Sequence, residues 1–117
     1  MIKKAKLSLQ NKNKNIQNIR NNIDKIDTQI LKYLSLRRKE VLKITKYKTR
    51  SEIVDKKRIS QIIRILTKKG KKFKIEPFII KNIWGSMIKS FIALEKKENL
   101  TICYVVEVFF QQTTHVF

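Results

Sequence analysis

The sequence predicts an all-α fold in which one long helix is followed by two shorter ones. The 117 residues include two Gly and one Pro, which favours long helices over a fold with many turns. Neither residue occurs between positions 15 and 48, where apolar residues recur at intervals of three or four, as on one face of a helix. These apolar positions are Ile16, Ile19, Ile23, Ile26, Ile30, Leu34, Val41 and Ile44.

The first helix is expected to span residues 15–48, after a basic and flexible arm at residues 1–14. A helix of that length would be about 50 Å long at roughly 1.5 Å per residue. Because this length exceeds the diameter of a globule formed by so short a chain, much of the helix must pack against something else. A second copy of the chain is the simplest partner.

The second helix is expected to run from Asp55 to about residue 69. Asp55 suits the N-cap position, because its carboxylate can accept a hydrogen bond from the first turn. Gly70 suits the position just after the last helical residue. The lysine-rich segment 68–74 is then expected to form a solvated loop.

The third helix is expected to begin at Pro77, since proline fits the first helical position, and to end near residue 97. The helical domain would therefore cover residues 15–98. The tail, residues 99–117, contains a β-prone apolar run and no visible partner strand. The sequence assigns this tail no definite structure.

The net charge of +19 has two interpretations. The 22 Lys, 6 Arg, 19 Ile and 8 Asn are typical of the compositional bias of an AT-rich genome, which would leave a solvated basic surface. The alternative is a basic helical protein that binds nucleic acid. The bias accounts for the charge better, so no specific nucleic-acid partner is expected, although the charge still favours an anionic ligand.

The remaining composition predicts a cytoplasmic protein. The single Cys103 excludes an internal disulfide framework and fits a reducing compartment. No apolar run is long enough to cross a bilayer, and the first residues lack the apolar stretch of a signal peptide. No membrane partner is therefore expected, and the isolated His115 gives no sign of a metal site.

Two cations of the first helix fall on its expected inner face. Steps of seven through Ile16, Ile23 and Ile30 lead to Arg37. Lys48 would lie about 20° from Arg37 around the helix and about 16 Å further along it. A buried arginine requires an anion. The simpler interpretation is an internal salt bridge, for instance to Glu40 or Glu52, and the alternative is a ligand.

Arg20 favours a ligand over an internal salt bridge. It would lie about 25 Å from Arg37 along the helix and roughly 100° around it, so one small ligand cannot touch both within one chain. A second copy of the helix running antiparallel would bring its own Arg20 to the site. The spacing therefore predicts a homodimer.

The other two helices add further charged groups. Asp55 and Arg58 lie at the start of the second helix, where backbone donors also favour anions. Glu95 extends the apolar face of the third helix by one turn, where burial would favour its neutral form; a solvated helix end is the alternative. Cations around a cavity with one opposing acid suit a small dicarboxylate, because arginine binds carboxylates bidentately.

The segment IRNNIDKIDTQILKYLSLRRKEVLKITKYK resembles the first helix of AroQ-type chorismate mutases. In addition, IVDKKRI resembles the Asp-x-x-Arg element of that family at Asp55 and Arg58, and IWGSMIKSFIALE resembles its last helix, which ends at Glu95. The first-helix pattern is specific, whereas the other two would be weak alone. It is carried, without gaps, by Arg20, Asp24, Asp27, Arg37 and Lys48.

The resemblance implies an intertwined homodimer of three-helix protomers that rearranges chorismate to prephenate for phenylalanine and tyrosine biosynthesis, without cofactor or metal. It further implies that Arg37 and the partner subunit's Arg20 hold the substrate carboxylates. Asp55 and Arg58 would assist in binding. Lys48 and Glu95 would hydrogen-bond the ether oxygen as its bond breaks.

Two residues depart from the usual mutase pattern. Ile59 stands where many mutases carry a Glu that accepts the substrate hydroxyl, and related isochorismate-pyruvate lyases also carry an aliphatic residue there. Asp55 favours the mutase, since those lyases lack it. Glu95 stands where many relatives have Gln, and a Glu must be protonated to donate a hydrogen bond to the ether oxygen.

Overall fold

The computed structural model describes residues 2–114 and, within them, the side chains of residues 5–101, 107–109 and 111. It contains α1 (Ile2–Thr45), a short 3₁₀ turn (Arg50–Glu52), α2 (Lys56–Lys72) and α3 (Pro77–Thr114). No strand occurs in the part of the chain that the structure describes. The all-α prediction with one long first helix is therefore confirmed, although α3 is much longer than predicted.

The chain divides into two compact units, Met1–Arg37 and Arg38–Phe117. The first unit is the N-terminal part of α1, which begins at Ile2 and not at residue 15. The expected flexible arm at residues 1–14 is therefore helical wherever the structure describes it. The absence of Gly and Pro, which predicted the helix from residue 15, extends equally to residue 2 and explains the earlier start.

The apolar stripe of α1 is exposed within the first unit. Ile19 and Ile26 are each 58% exposed, and Ile23 and Ile30 are 49% and 50% exposed. Burying such a stripe is what stabilises most helices in proteins. This face of α1 therefore has no cover within its own unit.

The second unit begins with the end of α1, which stops at Thr45. The Thr45 side chain is fully buried, and its hydroxyl donates to the Val41 carbonyl over 2.8 Å. A backbone hydrogen bond from Lys48 N to Thr45 O (3.2 Å) then continues the chain as a turn. Lys48 lies beyond the helix, so the predicted end at residue 48 is wrong and its helical alignment with Arg37 does not hold.

α2 begins as predicted and ends later. Asp55 is its N-cap. Gly70 lies inside the helix and is buried, and a Cβ atom there would overlap Cδ1 of Ile80 in α3. The prediction that Gly70 follows the helix is therefore wrong: a glycine at this position allows α2 and α3 to approach closely. The predicted loop 68–74 is helical as far as Lys72.

The turn that ends α2 is a Schellman motif. Ile75 N donates to Gly70 O over 2.9 Å, and Lys74 N donates to Lys71 O over 3.2 Å. Lys74 has a φ of 57°, in the left-handed region that glycine usually occupies at this position. Lysine at this position therefore keeps the motif under backbone strain.

α3 begins at Pro77, as predicted, and continues to Thr114 instead of ending near residue 97. The β-prone tail is therefore helical as far as the structure describes it. A lone strand would leave its backbone groups without hydrogen-bond partners, whereas a helix satisfies them within the segment. α2 packs against α3, and among the described side chains of this unit the buried apolar residues are Ile53, Ile80 and Ile88.

Candidate active site

Lys48 and Glu95 form an ion pair in the second unit. Lys48 Nζ lies 3.5 Å from Glu95 Oε2. Glu95 is only 6% exposed, so the alternative in which it ends a frayed, solvated helix is wrong. The Lys48 side chain is 24% exposed and can therefore still be reached from solvent. The ammonium group donates to the carboxyl group, and the two lie close enough together to contact one ligand atom. A protonated carboxyl group could also donate a hydrogen bond to that atom.

A surface depression open to solvent lies beside this pair. Lys48 and Asp55 both line it, although one residue follows α1 and the other begins α2. The segment between them, which includes the 3₁₀ turn, brings the two residues together. The other lining residues are Glu52, Val54 and Lys56.

Asp55 is held in place by its capping role. Its Oδ1 accepts a hydrogen bond from Arg58 N over 2.9 Å, which fixes the carboxylate at the first turn of α2. The Arg58 side chain is exposed, and its Nη1 donates to Gln61 Oε1 over 2.9 Å. Asp55 and Arg58 therefore lie together at the N-terminus of α2, as the sequence predicts.

A second depression extends along α2 from the same two residues. It is lined by Asp55, Lys57, Arg58, Ser60, Gln61 and Arg64. The sequence analysis did not single out Gln61 and Arg64, which line this depression. Their spacing from Arg58, three and six residues further on, was a usable signal, because residues three apart are neighbours on a helix surface.

The two other arginines of the predicted site, Arg20 and Arg37, belong to the first unit. Arg37 is half-buried and its Nη1 atom is shielded from solvent. Arg20 is exposed on α1. One suggested internal partner of Arg37, Glu40, forms an exposed ion pair with Lys43 over 2.9 Å. Ile59 is half-buried on α2, in the second unit.

Two absences hold for the described part of the chain. No helix there has the length and apolar character needed to cross a membrane. Among the same residues, no three His, Cys, Asp or Glu side chains cluster as metal ligands would.

The chain matches the family model described as chorismate mutase type II over residues 19–96. This stretch contains every residue assigned above to the site, from Arg20 to Glu95. Neither the curated proteins nor the solved structures gave a match. Because the family model covers more than half of the 117 residues, the chain belongs to the chorismate mutase type II family.

Proposed function

We propose that the protein is a chorismate mutase, which rearranges chorismate to prephenate. The observation that carries this proposal is the Lys48–Glu95 pair, in which a buried acid and an accessible cation lie 3.5 Å apart. Both residues fall within the part of the chain that matches the family. An ammonium group and a protonated carboxyl group this close together can both donate to one oxygen atom that gains negative charge during a reaction.

The proposed reaction takes place within a single substrate molecule. The ether C–O bond breaks while a C–C bond forms, and no group of the protein is covalently attached to the substrate. Lys48 and the protonated form of Glu95 donate hydrogen bonds to the ether oxygen as its bond breaks. The protein therefore accelerates the reaction by holding a compact conformer and by stabilising developing charge.

The substrate carries two carboxylates, for which the arginines are suited. Arg37 binds one of them, and its half-buried position strengthens the interaction by reducing solvent screening. Asp55 lines the depression next to Lys48, and Arg58 lines the second depression, which Asp55 also borders; both assist in binding. Because the N-terminal backbone donors of α2 also favour anions, the positive character at the start of α2 does not depend on Arg58 alone.

We further propose that the active form is a homodimer in which the partner subunit's Arg20 completes each site. The exposed apolar stripe of α1 supports this proposal, since a second copy of α1 would cover it. Arg20 stands beside the stripe residue Ile19 and is exposed. Within one chain, Arg20 lies about 25 Å from Arg37 along α1. An antiparallel partner helix can instead bring its own Arg20 close to Arg37.

A second candidate activity is that of an isochorismate-pyruvate lyase. Ile59 favours it, because an aliphatic side chain half-buried on α2 cannot accept a hydrogen bond from a substrate hydroxyl. Asp55 favours the mutase, since the lyases of this family lack that residue. The two activities use different substrates and can therefore be separated directly.

The test is to offer the purified protein chorismate and isochorismate in separate assays. Prephenate from chorismate supports the mutase, whereas salicylate and pyruvate from isochorismate support the lyase. Lys48→Ala should abolish the activity, and Lys46→Ala, two residues away and exposed, should not change it. If the wild-type protein forms neither product, both assignments are contradicted. Equal loss of activity in the two variants would contradict the role of Lys48.

A further inference from the structure

Of the three α-helices, α2 has the highest density of positive charge. Its 17 residues contain eight Lys or Arg and no Asp or Glu. The 38 residues of α3, by comparison, contain four Lys and three Glu. A compositional bias acting evenly on the chain would not produce this difference between two neighbouring helices, so the charge on α2 calls for its own explanation.

Positive charge is also dense where α2 turns into α3, since five of the seven residues 68–74 are lysines. We call this region, residues 68–81, the basic corner. One acid, Glu76, occurs within it. Its six lysines are all exposed: Lys68, Lys69, Lys71, Lys72, Lys74 and Lys81.

Three apolar side chains protrude among these lysines. Phe73 is 75% exposed, Phe78 is 65% exposed and Ile75 is 42% exposed. Phe73 and Ile75 flank Lys74, whose left-handed backbone lies at the centre of the Schellman motif. The turn that presents these side chains is therefore fixed by backbone hydrogen bonds.

Exposed phenylalanines surrounded by lysines match the two layers of an anionic lipid surface. Apolar side chains enter the boundary between headgroups and acyl chains, while lysines stay at the level of the negatively charged headgroups. A nucleic acid would be matched better by arginine, which binds phosphate bidentately, yet no arginine occurs in residues 68–81. Ile75, moreover, offers no aromatic face on which a base could stack.

We propose that the basic corner docks the protein reversibly onto anionic lipid bilayers, with Phe73 and Phe78 inserted at headgroup depth. The sequence alone predicts no membrane partner, because it contains no spanning segment. Docking at the bilayer surface needs no spanning segment. It depends on the exposure of side chains at the turn between α2 and α3, which the structure reveals. The proposal is independent of the reaction at Lys48 and Glu95.

The test is sedimentation of the full chain with vesicles of phosphatidylcholine alone or of phosphatidylcholine mixed with phosphatidylserine. Binding is expected only with phosphatidylserine. Lys71→Gln, Lys72→Gln and Lys74→Gln combined should weaken it on the order of a hundredfold, since each lysine near the surface contributes about fivefold. The matched control, Lys12→Gln, Lys14→Gln and Lys25→Gln, removes equal charge from α1 and should leave binding nearly unchanged.

The apolar contribution is tested separately. Phe73→Ser combined with Phe78→Ser should abolish binding, whereas Tyr33→Ser combined with Tyr47→Ser, at residues 70% and 86% exposed, should not. Equal binding to both kinds of vesicle, equal loss in the lysine variant and its control, or binding to duplex DNA with none to vesicles would overturn the proposal. Circular dichroism of each variant shows that any loss of binding is not a loss of helix.

Discussion

Lys48 Nζ lies 3.5 Å from Glu95 Oε2, and this ion pair joins the turn after α1 to the middle of α3. Glu95 is buried, and Lys48 is its ion-pair partner. Removing the lysine would leave a buried carboxylate without its cation, which is strongly unfavourable. The same pair that we place at the reacting oxygen therefore also holds α3 against the end of α1.

Glu95→Gln should change how activity depends on pH. Wild-type kcat/KM is expected to decrease as the pH rises, because only the protonated carboxyl group can donate to the ether oxygen. Gln donates at every pH, so the variant should show a flat profile. Glu98→Gln, which changes a half-buried acid one turn further along α3, should keep the wild-type profile. A pH-dependent profile in the Glu95→Gln variant would remove Glu95 from its proposed role.

Arg20→Ala and Arg37→Ala chains should each be inactive and should recover activity when unfolded and refolded together. Random pairing gives half heterodimers, and one of the two sites in each is intact, so about one quarter of wild-type activity is expected. The control mixes Arg20→Ala with a chain carrying both substitutions, which can form no intact site. Equal activity in the two mixtures would contradict a site shared between subunits.

Gly70→Ala should destabilise the protein by about 1–3 kcal/mol, because its Cβ atom would overlap Cδ1 of Ile80, whose buried side chain has little room to move where α2 and α3 meet. Gly85→Ala is the matched control. No atom lies within 4 Å of the Cβ position there, so this change should stabilise α3 by about 0.5–1 kcal/mol through helix propensity. Urea unfolding of the two variants measures both effects, and wild-type stability in the Gly70→Ala variant would contradict the close packing of the helices.

Lys74→Gly should stabilise the protein by about 0.5–1 kcal/mol. The left-handed φ of 57° strains lysine but not glycine, and this gain exceeds the entropy that glycine adds to the unfolded chain. Lys72→Gly removes the same charge from the last turn of α2 and should destabilise by up to about 1 kcal/mol. Thermal unfolding at a fixed protein concentration compares them, and a lower Tm for the Lys74→Gly variant would argue against the motif.

Asp55→Ala should lower stability by about 1 kcal/mol, because it removes the acceptor for Arg58 N at the start of α2. Asp55→Asn keeps an acceptor oxygen and should retain most of that stability. Loss of activity in a stable Asp55→Asn variant would show that the carboxylate also serves the substrate. Full activity in that variant would limit Asp55 to its capping role.

The sequence predicted those features that depend on local chemistry. Asp55 caps α2 and Pro77 opens α3, because capping and proline geometry act within one turn. The nearness of Lys48 to Glu95 was predicted through the family resemblance, which relates residues that are distant in sequence. The helical alignment of Lys48 with Arg37 was wrong, since α1 ends at Thr45 and Lys48 lies in the turn that follows.

The remaining errors arose where distant parts of the chain decide the structure. Glycine is common at helix ends, which is why Gly70 was expected there. Its contact with Ile80, ten positions further along the chain, is visible only once the helices are packed. The tail has β-branched and aromatic residues, yet residues 2–114 offer no partner strand and the helix of α3 continues to Thr114. Propensity is a weak guide wherever hydrogen bonding or packing opposes it.

The eight cations of α2 also affect the speed with which a dianion reaches the protein. The helix carries no acid to offset them, and its first turn borders the depression beside Lys48. A field of one sign beside a cleft raises the association rate of an oppositely charged ligand, and dissolved salt screens this attraction over about 10 Å. Capture of the proposed dianionic substrate is therefore expected to be faster in dilute buffer, although none of the lysines responsible needs to touch the reacting molecule.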